Sequence, residues 1–223
     1  MRSFRFSLKP ADGDPLTGQS KWWGQPDMPD DLDYPTIPYE DGEDDPMTFV
    51  CQIRCADLAG LDINNLLPHK GMLYFFADID DYVGDLHDKI GDIDDNYDDC
   101  DGDYFTGMGE WGPGAFRVLY SPNDEALHTH RVLGPDGEPY CLPAERAAFE
   151  ACESNELSTR LLGEPFEIEV AQEFPNHINL LQLWEEDRWR FYMYDCGILN
   201  FLILPEDLKA RRFDRVRVYL HSC

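Results

Sequence analysis

Two stretches of the chain repeat one arrangement: an apolar run with a glutamine at its centre, a connection, and a second apolar run led by glycine. Val50-Cys51-Gln52-Ile53 is followed, 19 residues after Gln52, by Gly71-Met72-Leu73-Tyr74-Phe75-Phe76. Leu181-Gln182-Leu183 is followed, 15 residues after Gln182, by Gly197-Ile198-Leu199-Asn200-Phe201-Leu202. Short apolar runs bounded by turn formers suit strands, and a matching pair predicts a repeated β-unit. The expected fold class is therefore α+β and strand-dominated. Duplicated β-units would form a pseudo-symmetric, mainly antiparallel sheet core with a few short peripheral helices. A length of 223 residues fits one domain of two halves, roughly 1–120 and 121–223.

The rest of the pattern fills in around these blocks. Ser3–Leu8 alternates polar and apolar residues, which predicts an edge strand. Prolines and glycines from Pro10 to Gly42 leave no room for a helix of useful length. Period-2 alternation from Thr48 puts Phe49, Cys51, Ile53 and Cys55 on one face and Thr48, Val50, Gln52 and Arg54 on the other. A helical turn is expected at Ala56–Ala59. Further strands are expected at Ala115–Tyr120, Phe166–Val170, Ile178–Trp184, Trp189–Met193, Ile198–Leu204 and Val216–His221. Helices are expected at Pro143–Glu153 and Pro205–Ala210, each with proline in its first turn.

Charge constrains the partners. From Trp22 to Asp187 there are 39 acidic residues against 7 Lys and Arg, and the whole chain carries a net charge of −27. Such a surface repels nucleic acid and anionic membrane and attracts cations and basic proteins. Basic residues are only 5 Lys among 18, so a surface tuned to high salt would look similar. The opening residues carry no apolar signal-peptide core, and no apolar run approaches the ~20 residues of a membrane span. Seven scattered cysteines suit reduced thiols, so a cytoplasmic protein is expected.

Four stretches together carry a family likeness: Ser20-Lys21-Trp22-Trp23-Gly24-Gln25-Pro26 with Met28-Pro29; Pro46 through Ile53, with Leu67-Pro68 and Gly71–Phe76; Leu161-Leu162-Gly163-Glu164-Pro165 with Asn179–Leu183; and Asp195-Cys196-Gly197 through Phe201 to Pro205–Leu208 and Phe213. In order and spacing the chain resembles the YwqG-like family, a bacterial domain family of undefined function. The resemblance implies a mainly β or α+β fold and no established reaction. Where that family reads Gly-Asp-x-Gly, this chain reads Tyr194-Asp195-Cys196-Gly197. The resemblance places 78–114 in a variable acidic and Gly-rich loop.

Within that loop, 12 of the 26 residues from Asp78 to Asp103 are Asp. Calcium takes oxygen-rich clusters, but no EF-hand register fits here, because a loop with Gly102 in the glycine position starts at Tyr97 and ends at Met108. Cys51 and Cys55 are about 13 Å apart on a straight strand, and His128-Thr129-His130 lacks further ligands, so no metal is expected. There is no G-x-S-x-G, P-loop or G-x-G-x-x-G, so no catalytic residue and no cofactor is assigned. Trp22–Trp23 lies among turn formers, where one ring could face a partner. The basic cluster Lys209, Arg211, Arg212, Arg215 and Arg217 reads as an exposed helix end and strand face.

Three function classes remain. The first is a non-enzymatic protein-binding module that presents Asp94, Asp95, Asp98, Asp99, Asp101 and Asp103 to a basic protein. Genes similar to this family occur among toxin–immunity repertoires, so the resemblance adds an immunity-type reading. The second is an enzyme or small-ligand protein with a site between the halves built from Gln52, Gln182 and Asp195, although buried hydrogen bonding explains the glutamines equally well. The third is a salt-adapted domain with no charge-specific partner.

Overall fold

The computed structural model describes residues 2–38, 44–62, 64–83, 102–134, 137–185, 191–194 and 196–222. In chain order the strands are β1 (Ser3–Pro10), β2 (Lys21–Trp22), β3 (Asp27–Met28), β4 (Thr36–Pro38), β5 (Asp44–Pro46), β6 (Thr48–Arg54) and β7 (Met72–Ala77). They continue as β8 (Gly109–Glu110), β9 (Phe116–Ser121), β10 (His128–Thr129), β11 (Glu145–Cys152), β12 (Arg160–Leu161), β13 (Ile178–Trp184), β14 (Ile198–Ile203) and β15 (Arg217–His221). Among the described residues two short helices, α1 (Ile168–Glu173) and α2 (Pro205–Lys209), lie outside the sheets. The fold is strand-dominated, as the repeated blocks predict.

Eleven strands form one curled antiparallel sheet in the order β8-β15-β14-β13-β12-β1-β11-β2-β6-β7-β9. Its two wings repeat one pairing scheme. On one side Lys21 pairs with Gln52 and Gln52 with Tyr74; on the other Arg160 pairs with Gln182 and Gln182 with Asn200. Both glutamine strands carry a register shift, at Phe49/Cys51 and at Asn179/Leu181. Between the wings, β1 and β11 are exchanged. β1 leads along the chain to β2 but pairs with β12, whereas β11 leads to β12 but pairs with β2. Arg5 pairs with Arg160 and Arg146 with Lys21, and the β1–β11 register is symmetric about Ser7↔Ala148. Each wing is therefore closed by a strand from the other half of the chain.

Three local expectations give way to this pairing. The Ser3–Leu8 strand sits inside the sheet, not at its edge, because Phe4 is fully buried and both backbone edges find partners in β11 and β12. Residues 145–152 form a strand, not a helix. The rows of backbone groups on β1 and β2 need partners there, and that demand outweighs the weak helix preference of Glu-Arg-Ala-Ala. Residues 168–173 form α1 in place of a strand, with Val170 and Phe174 packed on Leu202 one helical turn apart. The strand expected at Trp189–Met193 lies partly outside the described residues, and Phe191 makes an isolated bridge with Val83. The expected face of β6 is also broken at its bulge. Val50 joins Cys51 and Ile53 in the main core, while Phe49 turns to the opposite face.

The curl brings the inner faces of the wings together. Phe75 of β7 meets Phe201 of β14 edge-on, with ring centroids 5.6 Å apart, and both belong to one core. The outer face of β6 and β7 is covered by the proline-rich stretch through Met28, Ile37 and Met47, and the outer face of β14 by α1. Gly71 leads β7 with a φ of +86°, and an added Cβ would lie 2.1 Å from the Ser121 carbonyl oxygen. Replacing Gly71 with Ala combines a left-handed strain of ~1–2 kcal/mol with an overpacking cost of similar size. We expect a loss of roughly 2–3 kcal/mol, read as a lower urea midpoint at unchanged m-value; an unchanged midpoint would contradict this packing.

Candidate functional site

The glutamines singled out by the sequence sit at two buried polar nodes. In the first, Asp27 is completely buried and its carboxylate accepts four hydrogen bonds. Lys21 Nζ (2.8 Å), Gly18 N (3.0 Å) and Gln52 Nε2 (2.9 Å) donate to Oδ2, and Thr129 Oγ1 donates to Oδ1 at 2.8 Å. The Asp27 amide donates to Gln52 Oε1, and the Tyr74 hydroxyl donates to the Asp27 carbonyl, each at 2.7 Å. Burial, and then the Asp27 charge, push the Tyr74 phenol well above its usual range. In the second node, Arg160 is fully buried and donates to the carbonyls of Glu156, Leu162 and Glu164 and to Gln182 Oε1. Gln182 Nε2 donates to the carbonyls of Glu156 and Ser158. Burial lowers the Arg160 pKa.

These nodes brace the fold and leave little capacity for a ligand. Cys51 and Ile53, like Leu181 and Leu183, face the shared core, so by alternation Gln52 and Gln182 face outward, away from each other. They therefore do not line one pocket between the halves, and Asp195 lies outside the described residues. A small, partly open cavity lined by Trp23, Gln25, Tyr34, Thr48 and Cys141 has room for about 10 Å³, the space of one water. Trp22 and Trp23 are both buried, which removes the expected exposed ring; Trp22 packs edge-on against Phe6.

Other candidates resolve into local contacts. Burial, with the Asp124 charge a smaller contribution, pushes the Cys55 thiol up to about 12, and Cys51 is raised by burial too. His130 stacks on Tyr34 with centroids 4.5 Å apart, and His128 lies 3.7 Å from Asp30 on the surface. Among the described residues no group of three or more His, Cys, Asp or Glu is placed to hold a metal ion. In the basic cluster, Arg217 forms a bidentate pair with Glu110, Arg212 pairs with Asp207, and Arg215 with Asp214.

An aromatic face remains on the surface. The Tyr82 ring lies 6.0 Å from Tyr194 and 6.4 Å from Trp111, centroid to centroid. Tyr82 is fixed at both ends: its hydroxyl donates to the Thr106 carbonyl, and its own carbonyl accepts from the Tyr192 amide. Tyr192 and Tyr194 are 52% and 57% exposed and Met108 is 50% exposed. Beside them lies an open depression lined by Gly102, Phe105, Glu110 and Trp111. The chain enters the acidic segment 84–101 from Val83, next to Tyr82, and leaves it at Gly102, in that depression. Asp94, Asp95, Asp98, Asp99 and Asp101 fall in that segment, outside the described residues; Asp103 is exposed at its base.

A family model described as "Domain of unknown function (DUF1963)" matches residues 20–159 and 143–223. The chain belongs to that family. The two DUF1963 matches overlap at 143–159, which contains the exchanged strand β11. No curated protein matches the chain. Among the described residues no helix is long and apolar enough to cross a membrane.

The charged halves of both nodes carry a signal in the sequence that the glutamine pattern alone does not include. Lys21-Trp22-Trp23-Gly24-Gln25-Pro26 and Arg160-Leu161-Leu162-Gly163-Glu164-Pro165 share one spacing of cation, two apolar residues, Gly and Pro. Each has its second apolar residue and its glycine in the left-handed region. The Tyr82–Tyr194 face had no such signal, because its rings come from segments more than 100 residues apart.

Proposed function

We propose that this chain is a non-enzymatic binding module that takes a basic protein onto its aromatic face and uses the acidic segment to draw that protein in. The observation that carries the reading is the coincidence of exposed Tyr192, Tyr194 and Met108 with both roots of segment 84–101, which holds eight Asp and one Lys. Exposed tyrosines supply contact energy at small entropic cost, and a dense field of one sign accelerates encounter with an oppositely charged partner. The clustering of charge in one stretch of the sequence favours a partner over a surface tuned for salt alone. An immunity-type role, with carboxylates standing in for phosphates against a nucleic-acid-binding protein, is one form of this reading. Within DUF1963, the four stretches from Ser20 to Phe213 favour YwqG-like membership, and the matching wings favour an internal duplication. The scattered cysteines favour a cytosolic setting.

The test is affinity capture from the source cell at low salt and at about 0.5 M salt, where exposed charges more than a few ångströms apart are screened. The captured proteins are identified and then titrated individually. We expect a basic protein retained at low salt and released at high salt. Its association rate should fall on the order of 10-fold or more when Asp94, Asp95, Asp98, Asp99, Asp101 and Asp103 are replaced by Asn. Capture of no basic protein, or one whose association rate is unaltered by those substitutions, would refute the reading.

A further inference from the structure

Tyr194 occupies a backbone conformation that disfavours it. Its φ is +58°, and Cys196 two residues on stands at +59°, both in the left-handed region where a Cβ crowds the following carbonyl. Described residues on both sides of it are anchored. Phe191 and Met193 are fully buried, Phe191 bridges Val83, and Gly197 packs so closely that a Cβ there would lie 2.2 Å from the Met193 carbonyl oxygen. Phe191 and Met193 thus anchor the segment while Tyr192 and Tyr194 project outward. A strained residue whose side chain is mostly in solvent contributes little packing in return, and such residues cluster at ligand-contacting sites.

We infer that Tyr194, set against Tyr82, is the specificity-determining contact of the aromatic face and receives an arginine side chain of the basic partner, an inference that rests on the binding role proposed above. The two phenol faces are tilted 46° with centroids 6.0 Å apart, so the exposed Tyr194 face opens beside a fixed second ring. A cation is attracted to the face of such a ring, and guanidinium suits it better than ammonium because it is planar and less strongly hydrated. The chain already uses this geometry internally, with the Arg217 guanidinium 4.5 Å above the Phe174 ring and that of Arg211 5.5 Å from the Tyr120 centroid. The chain's net charge of −27 attracts cations to its surface as well.

The full chain is titrated with hexa-arginine and hexa-lysine peptides by calorimetry, as wild type and as Tyr194→Phe, Tyr194→Leu and Tyr194→Gly. Hexa-arginine should bind more tightly than hexa-lysine. Phenylalanine, which keeps the ring face, should retain that preference. Leucine and glycine should weaken hexa-arginine binding roughly three- to thirty-fold and abolish the preference. Tyr194→Gly should also raise the thermal midpoint, which separates lost recognition from lost folding. Equal affinity for the two peptides, or a Tyr194→Leu variant that binds as wild type does, overturns the role of Tyr194. The six Asp→Asn replacements distinguish this from failure of the broader reading. If that variant still binds hexa-arginine as wild type does, acidic docking itself is refuted; if it loses binding while Tyr194→Leu does not, only the tyrosine contact is.

Discussion

Replacing Asp27 with alanine is expected to lower the unfolding free energy by about 3–5 kcal/mol, the cost of leaving one member of a buried ion pair without its partner. The Lys21 ammonium is 2% exposed and has Asp27 Oδ2 at 2.8 Å. Without the carboxylate it remains buried with no counter-charge, and the donors on Gly18, Gln52 and Thr129 lose their acceptor as well. The joint change Lys21→Met with Asp27→Leu sharpens the test. For an isolated buried pair, such an apolar exchange is often neutral. Here three further donors point at the carboxylate, so the double variant should remain destabilised. Urea unfolding measures both, and a near-neutral double variant would show that the surrounding donors contribute nothing.

Replacing Arg160 with methionine is expected to cost on the order of 4 kcal/mol, because each buried acceptor left unmatched forfeits roughly 1–3 kcal/mol of desolvation. The carbonyls of Glu156, Leu162 and Glu164 and the Gln182 amide oxygen all take hydrogen bonds from this one guanidinium. Lysine is no substitute, since an ammonium cannot span acceptors fixed around a planar fork. The two nodes thus solve one packing problem differently: a carboxylate balances Lys21, and peptide dipoles balance Arg160. Their effects should add within about 0.5 kcal/mol in the combined Asp27→Ala, Arg160→Met protein, because the nodes share no partner. The exchange of β1 and β11 makes each wing depend on the other, so unfolding should occur in one transition. Two separated transitions would show that the wings fold independently.

Much of the sheet was legible locally. The strand expected at Ile178–Trp184 coincides with β13, and those expected at β7, β14 and β15 agree to within a residue, because buried strands announce themselves as apolar runs with glycine or proline at their ends. The helix at Pro205–Lys209 was announced by its proline and its first-turn acids. Glu145–Cys152 is a strand in place of the expected helix because nothing in its own residues demands a strand; β1 and β2 do, from more than 120 residues away. The β6 bulge was invisible for a related reason. The carbonyl of Val50 accepts the Trp23 amide, and that cross-chain bond accompanies the shift in alternation.

The candidate site divides along the same line. Charge is additive over residues and independent of fold, so the chain's net charge of −27, on which the proposed attraction to a basic partner rests, could be read from composition alone. The paired glutamines could also be found by pattern, but not their direction, since the curl of the sheet turns them outward and their own nodes saturate them. What tertiary structure alone decided was which residues stand together: Asp27 with Lys21 and Gln52, and Tyr82 with Tyr194. Those meetings depend on long-range strand pairing, and local periodicity carries no record of which distant strand supplies the missing hydrogen bonds.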